Sequence, residues 1–299
     1  MSLHLDIAEV SFGITSRGPD ISGEIPSVYG SFLKKTGIAG LSSDVPIVFE
    51  MDHIPDLERM RKVFDTGESW SMFADGKDYL MVLDPPLLNR RVIWAARFNL
   101  EFREVTVYCS DEFIAGREDV GKVLSPFFYP LDQILLMFFL AQRGGAIFHG
   151  AGMSIGGKGF ILLGRSGAGK STLSRLFSKS KVAEILSDDR MIVRGNDAGF
   201  RAYGTPWPGD AGIAVNKGVD LAAVFFIGHG KGNEIKEIDR RSALERLLSV
   251  TSVPWFDERI MWDILLFCDG MLSRVPAYEL DFVPSDEVIG VLEKFLPAQ

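Results

Sequence analysis

The segment Phe160–Thr172, FILLGRSGAGKST, carries residues whose types and spacing are suited to holding phosphate. Gly164, Gly169, Lys170 and Ser171 satisfy the pattern Gly-x-x-x-x-Gly-Lys-Ser/Thr. Each part has a chemical reason. Gly164, Gly167 and Gly169 let backbone N–H groups turn inward and approach phosphate oxygens closely. The residues between them, Arg165, Ser166 and Ala168, complete the cradle. A helix starting near Lys170 aims its positive end at the same oxygens. Lys170 adds a mobile point charge for β- and γ-phosphates, and the Ser171 hydroxyl, followed by Thr172, is placed to meet a bridging Mg²⁺. The alternative is a chance glycine-rich turn. The complete motif, with an apolar run before it and Leu173, Leu176 and Phe177 at helical spacing after it, favours the cradle.

Two further groups lie close by. Lys181–Val193, KVAEILSDDRMIV, ends an apolar strand on Asp188 and Asp189. One helix and one strand fit between Ser171 and this pair, so a strand neighbouring the loop's own would bring both carboxylates to the phosphates. One could then hold Mg²⁺ and the other accept a proton from an incoming hydroxyl. Adjacent acids are costly to keep ionised together without a cation between them. Read alone, the pair is better explained by a solvated acidic turn; the glycine loop close before it reverses that reading. His149, in Phe148-His149-Gly150, sits in the strand before the loop's strand, where a lone histidine is either a satisfied core residue or a ligand-facing one. The remaining histidines, His4, His53 and His229, are near no motif.

The elements that must position these groups read as follows. Strands Ala146–Ser154 and Gly159–Leu163 flank a turn at Gly156-Gly157-Lys158, and a helix covers Lys170–Ser178. Ala183–Ser187, Met191–Val193 and Leu221–Ile227 are strands. Glu234–Ile238 is expected to pair with Leu221–Ile227. Helices follow over Arg241–Val250, Glu258–Phe267 and Asp286–Phe295, the last capped by Ser285, with a strand at Tyr278–Phe282. Arg240 and Arg241 either reach phosphates or start a solvated helix. Upstream, Leu131–Arg143 is apolar on nearly every face and reads as a buried helix. Before it, Val45–Met51, Trp70–Ala74, Tyr79–Asp84, Val92–Phe98 and Glu104–Cys109 read as strands, with a hairpin across Asp75-Gly76. Ile54–Thr66 reads as an amphipathic helix carrying Leu57, Met60, Val63 and Phe64. The pattern predicts a small α+β domain on an antiparallel sheet over 1–125, for recognition or interaction, and an α/β nucleotide-binding domain over 126–299.

Composition narrows the partners. Of 299 residues, 46% are hydrophobic and 24% charged, an ordinary globular balance. The net charge of −8 opposes non-specific binding to nucleic acid or anionic membrane. The two cysteines, Cys109 and Cys268, form no zinc-type cluster and fit a reducing compartment, with one disulfide as the other arrangement. The N-terminal residues MSLHLDIAEV lack a signal core, and no apolar run approaches the ~20 residues of a membrane span. The expectation is a cytoplasmic protein without a membrane partner.

The order His-Gly, glycine loop, Asp-Asp, here IFHGAGMSIGGKGFILLGRSGAGKSTLSRLF…ILSDDRMIV, resembles the HPr serine kinase/phosphorylase family and its related proteins. That wider group shares the catalytic fold of phosphoenolpyruvate carboxykinases. The resemblance is specific over about residues 146–194 and extends more weakly through GTPWPGDAGIAVN and VPAYELDFVP; it does not cover 1–125. It implies an ATP-dependent kinase acting on a hydroxyl, such as a serine of a protein or peptide, with ATP and Mg²⁺ as cofactors and homo-oligomers in the family. It implies that Gly164–Thr172 holds ATP and that Ser171 and Asp189 hold Mg²⁺. Asp188 would activate the acceptor and His149 would stand near the γ-phosphate, with the two aspartate roles exchangeable. The bifunctional members carry a Glu-x-Arg-Gly signature downstream of the acids. Here Thr205–Asn216 occupies that region, which puts HPr as substrate and phosphorolysis of phosphoserine in question. The competing function is a non-catalytic ATP-responsive regulator or scaffold. A transport-type ATPase would need a Leu-Ser-Gly-Gly-Gln signature, and a phosphoenolpyruvate carboxykinase would need a longer chain with a cluster for that substrate.

Overall fold

Alternating and continuous apolar runs make this a strand-rich chain, and among the described residues the strands assemble into two eight-stranded sheets with helices, a mixed α/β architecture. A computed structural model describes residues 2–17, 25–34, 43–51, 54–89, 91–110, 127–165, 167–180 and 182–295. The chain divides into two compact units, Met1–Phe139 and Leu140–Gln299. The predicted boundary at 125/126 lies outside the described residues.

The first unit holds β1 (Leu3–Ile7), β2 (Val10–Ser16), β3 (Val45–Met51), β4 (Arg61–Asp65), β5 (Trp70–Asp75), β6 (Asp78–Leu83), β7 (Trp94–Asn99) and β8 (Val105–Cys109), in the order β1-β2-β3-β8-β7-β6-β5-β4. The sheet is mixed rather than antiparallel, because β3 enters between β2 and β8 parallel to both. The long connection from β2 to β3 has the length that a parallel crossover requires. Most of helix α1 (Leu131–Ala141) belongs to this unit, and its buried Phe138 packs on Tyr79 and Phe98 at 5.2 and 5.3 Å between ring centres.

The expected helix over Ile54–Thr66 does not form. Leu57–Arg59 makes a single 3₁₀ turn and Arg61–Asp65 is an edge strand paired with β5. Leu57 and Met60, three apart, still share a face, and they pack on Phe73, Leu80 and Val82. β-Branched Val63 and aromatic Phe64 then join the open edge of β5, where the main chain finds partners without a helix.

The second unit holds β9 (Gly145–Ile155), β10 (Lys158–Leu163), α2 (Lys170–Ser180), β11 (Glu184–Ser187), β12 (Arg190–Asn196), β13 (Gly199–Gly204) and β14 (Gly218–His229). It continues with β15 (Glu234–Glu237), α3 (Arg240–Leu248), α4 (Glu258–Leu272), β16 (Ala277–Phe282) and α5 (Glu287–Phe295). The strands run β10-β9-β12-β13-β14-β16-β15. β11 pairs with β9, and β10 pairs with β14 as well, so the pairings β10-β9-β12-β13-β14 close on themselves. Both long strands serve two neighbours along one edge: β9 takes β12 and then β11, and β14 takes β13 and then β16. β15 pairs with β16, not with β14 as expected, because β16 already occupies that edge of β14. Leu173 and Phe177 of α2 are fully buried against Leu162, Ile185, Phe225 and Leu280. Such burial is worth roughly 1.5–3 kcal/mol per side chain, and it fixes α2, and with it the start of the helix, over the sheet. Ser285 does not cap α5 through its hydroxyl, which is buried without a partner among the described residues; its carbonyl instead accepts from Val288 N at 3.3 Å.

Cys109 and Cys268 are free, buried thiols, each pushed up to about 12 by burial. Among the described residues no helix is long and apolar enough to cross a membrane.

Candidate functional site

Strand register brings the predicted residues together. β10 runs parallel to β14 and antiparallel to β9, with Leu163 opposite Gly150. His149 therefore stands at the register position of Gly164, where the loop begins. Arg190 pairs with His149 across β12 and β9, and Gly150 N donates to the Asp189 carbonyl at 2.9 Å. The glycine loop, His149 and the end of the acidic segment thus meet at one end of the strands.

The loop turns tightly between β10 and α2. Ala168 N donates to Arg165 O at 3.1 Å, and Leu173 N donates to Gly169 O at 2.9 Å as α2 begins. Gly167 and Gly169 have φ of +82° and +99°, the left-handed region where side chains are strained. At Gly169 space also forbids one: a Cβ would lie 2.5 Å from the Phe282 ring. Lys170 is buried, and its ammonium folds back into the loop, donating to Gly164 O at 2.7 Å and Arg165 O at 3.2 Å. Burial lowers its pKa from the ordinary lysine value, with the Asp189 carboxylate pulling the other way. Ser171 is half-buried in the first turn of α2, while Arg165 and Thr172 are exposed. Ser166 lies outside the described residues.

The two aspartates have separate surroundings. Asp188 is 2% exposed. Its Oδ1 accepts from Gly209 N at 3.0 Å and Ile213 N at 3.2 Å, and its Oδ2 accepts from Ala211 N at 2.7 Å. Asp189 is more open. Its Oδ1 lies 3.2 Å from His149 Nδ1 and its Oδ2 lies 3.0 Å from Arg190 Nη1. Burial by itself raises the Asp189 carboxyl. The His149 hydrogen bond and the charges of Arg190, His149 and Lys170 outweigh this and hold it below the usual carboxylate value. Arg190 also contacts His149 Nδ1. The His149 N–H donates to Val250 O at 2.7 Å, and the ring's contacts among the described residues are made through Nδ1.

Sequence reasoning missed two residues. His229 ends β14 and its Nε2–H donates to Gly167 O at 3.0 Å, with its ring against Phe282. The available signal was its place at the end of the apolar run Leu221–Ile227, once that strand is known to lie parallel beside β10. Arg190 follows the acid pair directly and joins Asp189 to His149. Arg240 and Arg241 pair with Asp269 and Glu245.

Among the described residues no group of three or more His, Cys, Asp and Glu could hold a metal unaided. The hydroxyl of Ser171 and the carboxylate of Asp189 are hard oxygen donors. They suit Mg²⁺, which takes one or two protein ligands and completes its shell with phosphate oxygens and water.

Set against known proteins, the chain matches no protein-family model and no curated protein.

Proposed function

We propose that this chain is an ATP-dependent phosphotransferase that moves the γ-phosphate to a hydroxyl acceptor, such as a serine of a protein or peptide. The fold that goes with this reading is that of the HPr-kinase-related group, which the motif order resembles. The observation that carries it is the buried Lys170 ammonium. Among the described residues its hydrogen bonds go only to the carbonyls of Gly164 and Arg165, with the Asp189 carboxylate near enough to act on its charge. A lysine resting on neutral carbonyls exchanges them for phosphate oxygens with a gain in Coulomb attraction.

In this reading the loop amides over Gly164–Thr172 and the start of α2 orient the phosphates. Ser171 and Asp189 hold Mg²⁺, which when bound neutralises the charge of the β- and γ-oxygens. His149 stands next to the loop and, through Nδ1, helps to hold the Asp189 carboxylate in place. Arg190 holds Asp189 and His149 in one arrangement. Positioning and charge neutralisation supply most of the rate.

The test is transfer from γ-labelled Mg-ATP into soluble lysate and small-molecule pools of the source cell, with wild type beside Lys170→Ala and Asp189→Asn. A labelled species present with wild type and absent with both variants is the expected result. Saturable Mg-ATP binding without any label would favour the ATP-responsive regulator instead.

A further inference from the structure

The segment 205–216 follows the end of β11 and the acid pair almost residue by residue. Val215 N donates to Leu186 O at 2.9 Å, and Ala214 bridges Ser187. Gly209, Ala211 and Ile213 all donate to the Asp188 carboxylate. The Thr205 hydroxyl donates to Arg190 O at 2.8 Å. The turn is tight, with Gly212 N on Gly209 O at 3.0 Å. It also passes close to the second acid: a Cβ on Gly209 would lie 3.1 Å from Asp188 Oδ2 and 3.1 Å from Asp189 Cβ.

A carboxylate offers about four lone-pair positions, and the Asp188 carboxylate gives three of them to main-chain amides while almost wholly buried. These are charge-assisted bonds, about twice as strong as neutral ones. Resting on the phosphotransferase reading, we propose that Asp188 is a positioning residue. It folds the strap 209–213 against Asp189 and so builds the wall past which an acceptor hydroxyl reaches the phosphates. Asp189 is then the one carboxylate of the pair that meets the reacting groups. Adjacent acids need not share a cation here, because the charge of one is met by amide dipoles and the charge of the other by Arg190 and His149.

Residue-resolved amide exchange on the full chain without nucleotide tests the strap. In wild type the Gly209, Ala211 and Ile213 amides exchange slowly. In Asp188→Ala they exchange about tenfold faster or more, while the Val215 amide, held by Leu186 O, keeps its rate. Asp188→Asn falls between, since its carboxamide oxygen still serves Gly209 and Ile213 but its NH₂ cannot accept from Ala211. Gly209→Ala, should Asp188→Ala not fold, loosens the Ala211 and Ile213 amides from the other side. Equal protection in wild type and variants, or no protection in wild type, would overturn the proposal.

A second arm reads Mg-ATP hydrolysis against pH, with water as the acceptor. Asp188→Asn keeps the acid limb of the wild-type profile, and Asp189→Asn, which lacks a proposed Mg²⁺ ligand, does not turn over. Loss of that limb in Asp188→Asn with the strap still protected would make Asp188 the proton acceptor and refute the assignment. A wild type that neither binds nor hydrolyses Mg-ATP would remove the phosphotransferase reading, and the exchange rates would still decide whether Asp188 holds the strap.

Discussion

The ion pairs of the first unit and the surroundings of Lys170 in the second use charge differently. In the first, ionic groups find one another across neighbouring strands: Arg97 bonds Asp78 and Asp75, and Arg17 bonds Glu50 and Glu104. One of its buried acids, Asp132, is met by the Tyr29 hydroxyl at 2.6 Å and by Gln133 N at 2.7 Å. In the second unit a buried lysine rests on two carbonyls, and its nearest carboxylate is engaged with a histidine and an arginine. In the first pattern each of these charges is met within the protein. The second leaves a buried cation on neutral acceptors among the described residues, and the proposed nucleotide site rests on that difference.

Four measurements sharpen or break this contrast. Lys170→Ala is expected to weaken Mg-ATP binding by about a hundredfold, since it removes charge-assisted bonds worth roughly 1.5–3 kcal/mol each; titration calorimetry against wild type would show it, and unchanged affinity would dissolve the contrast. Tyr29→Phe leaves the buried Asp132 short of a donor, and urea unfolding of the first unit should register a loss of about 1–3 kcal/mol with nucleotide affinity untouched. The third is a pH series. Asp189 is depressed in the folded state, so its contribution to stability is complete above the unfolded carboxyl value of roughly 3.9 and is lost as pH falls through the lower folded value. Asp189→Asn should flatten that acid limb of the unfolding midpoint, and an unaltered limb would deny its contacts with His149 and Arg190. The smallest effect belongs to Arg97→Ala. Its pairs are partly exposed, and the loss should stay below about 1 kcal/mol and shrink further in high salt.

What could be read from the sequence depended on how far apart the partners lie in the chain. The glycine loop, its flanking strand and its helix were legible because their residue pattern is contiguous in the chain and Lys170 reaches the nearby Gly164 and Arg165. The acid pair was legible as a pair, but its orientation was not, because the amides that engage Asp188 come from Gly209, Ala211 and Ile213 on a later loop. His229 was invisible for the same reason, since its partner is a main-chain carbonyl, which has no residue type to notice. The helix expected at Ile54–Thr66 failed where spacing and pairing compete: Leu57 and Met60 satisfied the helical period over one turn, and the open edge of β5 then captured the chain.

The closed circuit of strands in the second unit sets the order in which the molecule can come into being. β10 precedes its parallel partner β14 by a helix and three strands, and the register joining them runs from Lys158 and Asp220 to Leu163 and Phe226. Such distant pairing is slow to form, because loop closure precedes any reward from contact. During synthesis the glycine loop leaves the ribosome well before β14, which fixes one of its flanks and ends on His229, and Phe282 of β16, whose ring lies against Gly169, follows later still. Nucleotide affinity would therefore report on completed chains, and nascent ones would stay blind to it until the circuit has closed.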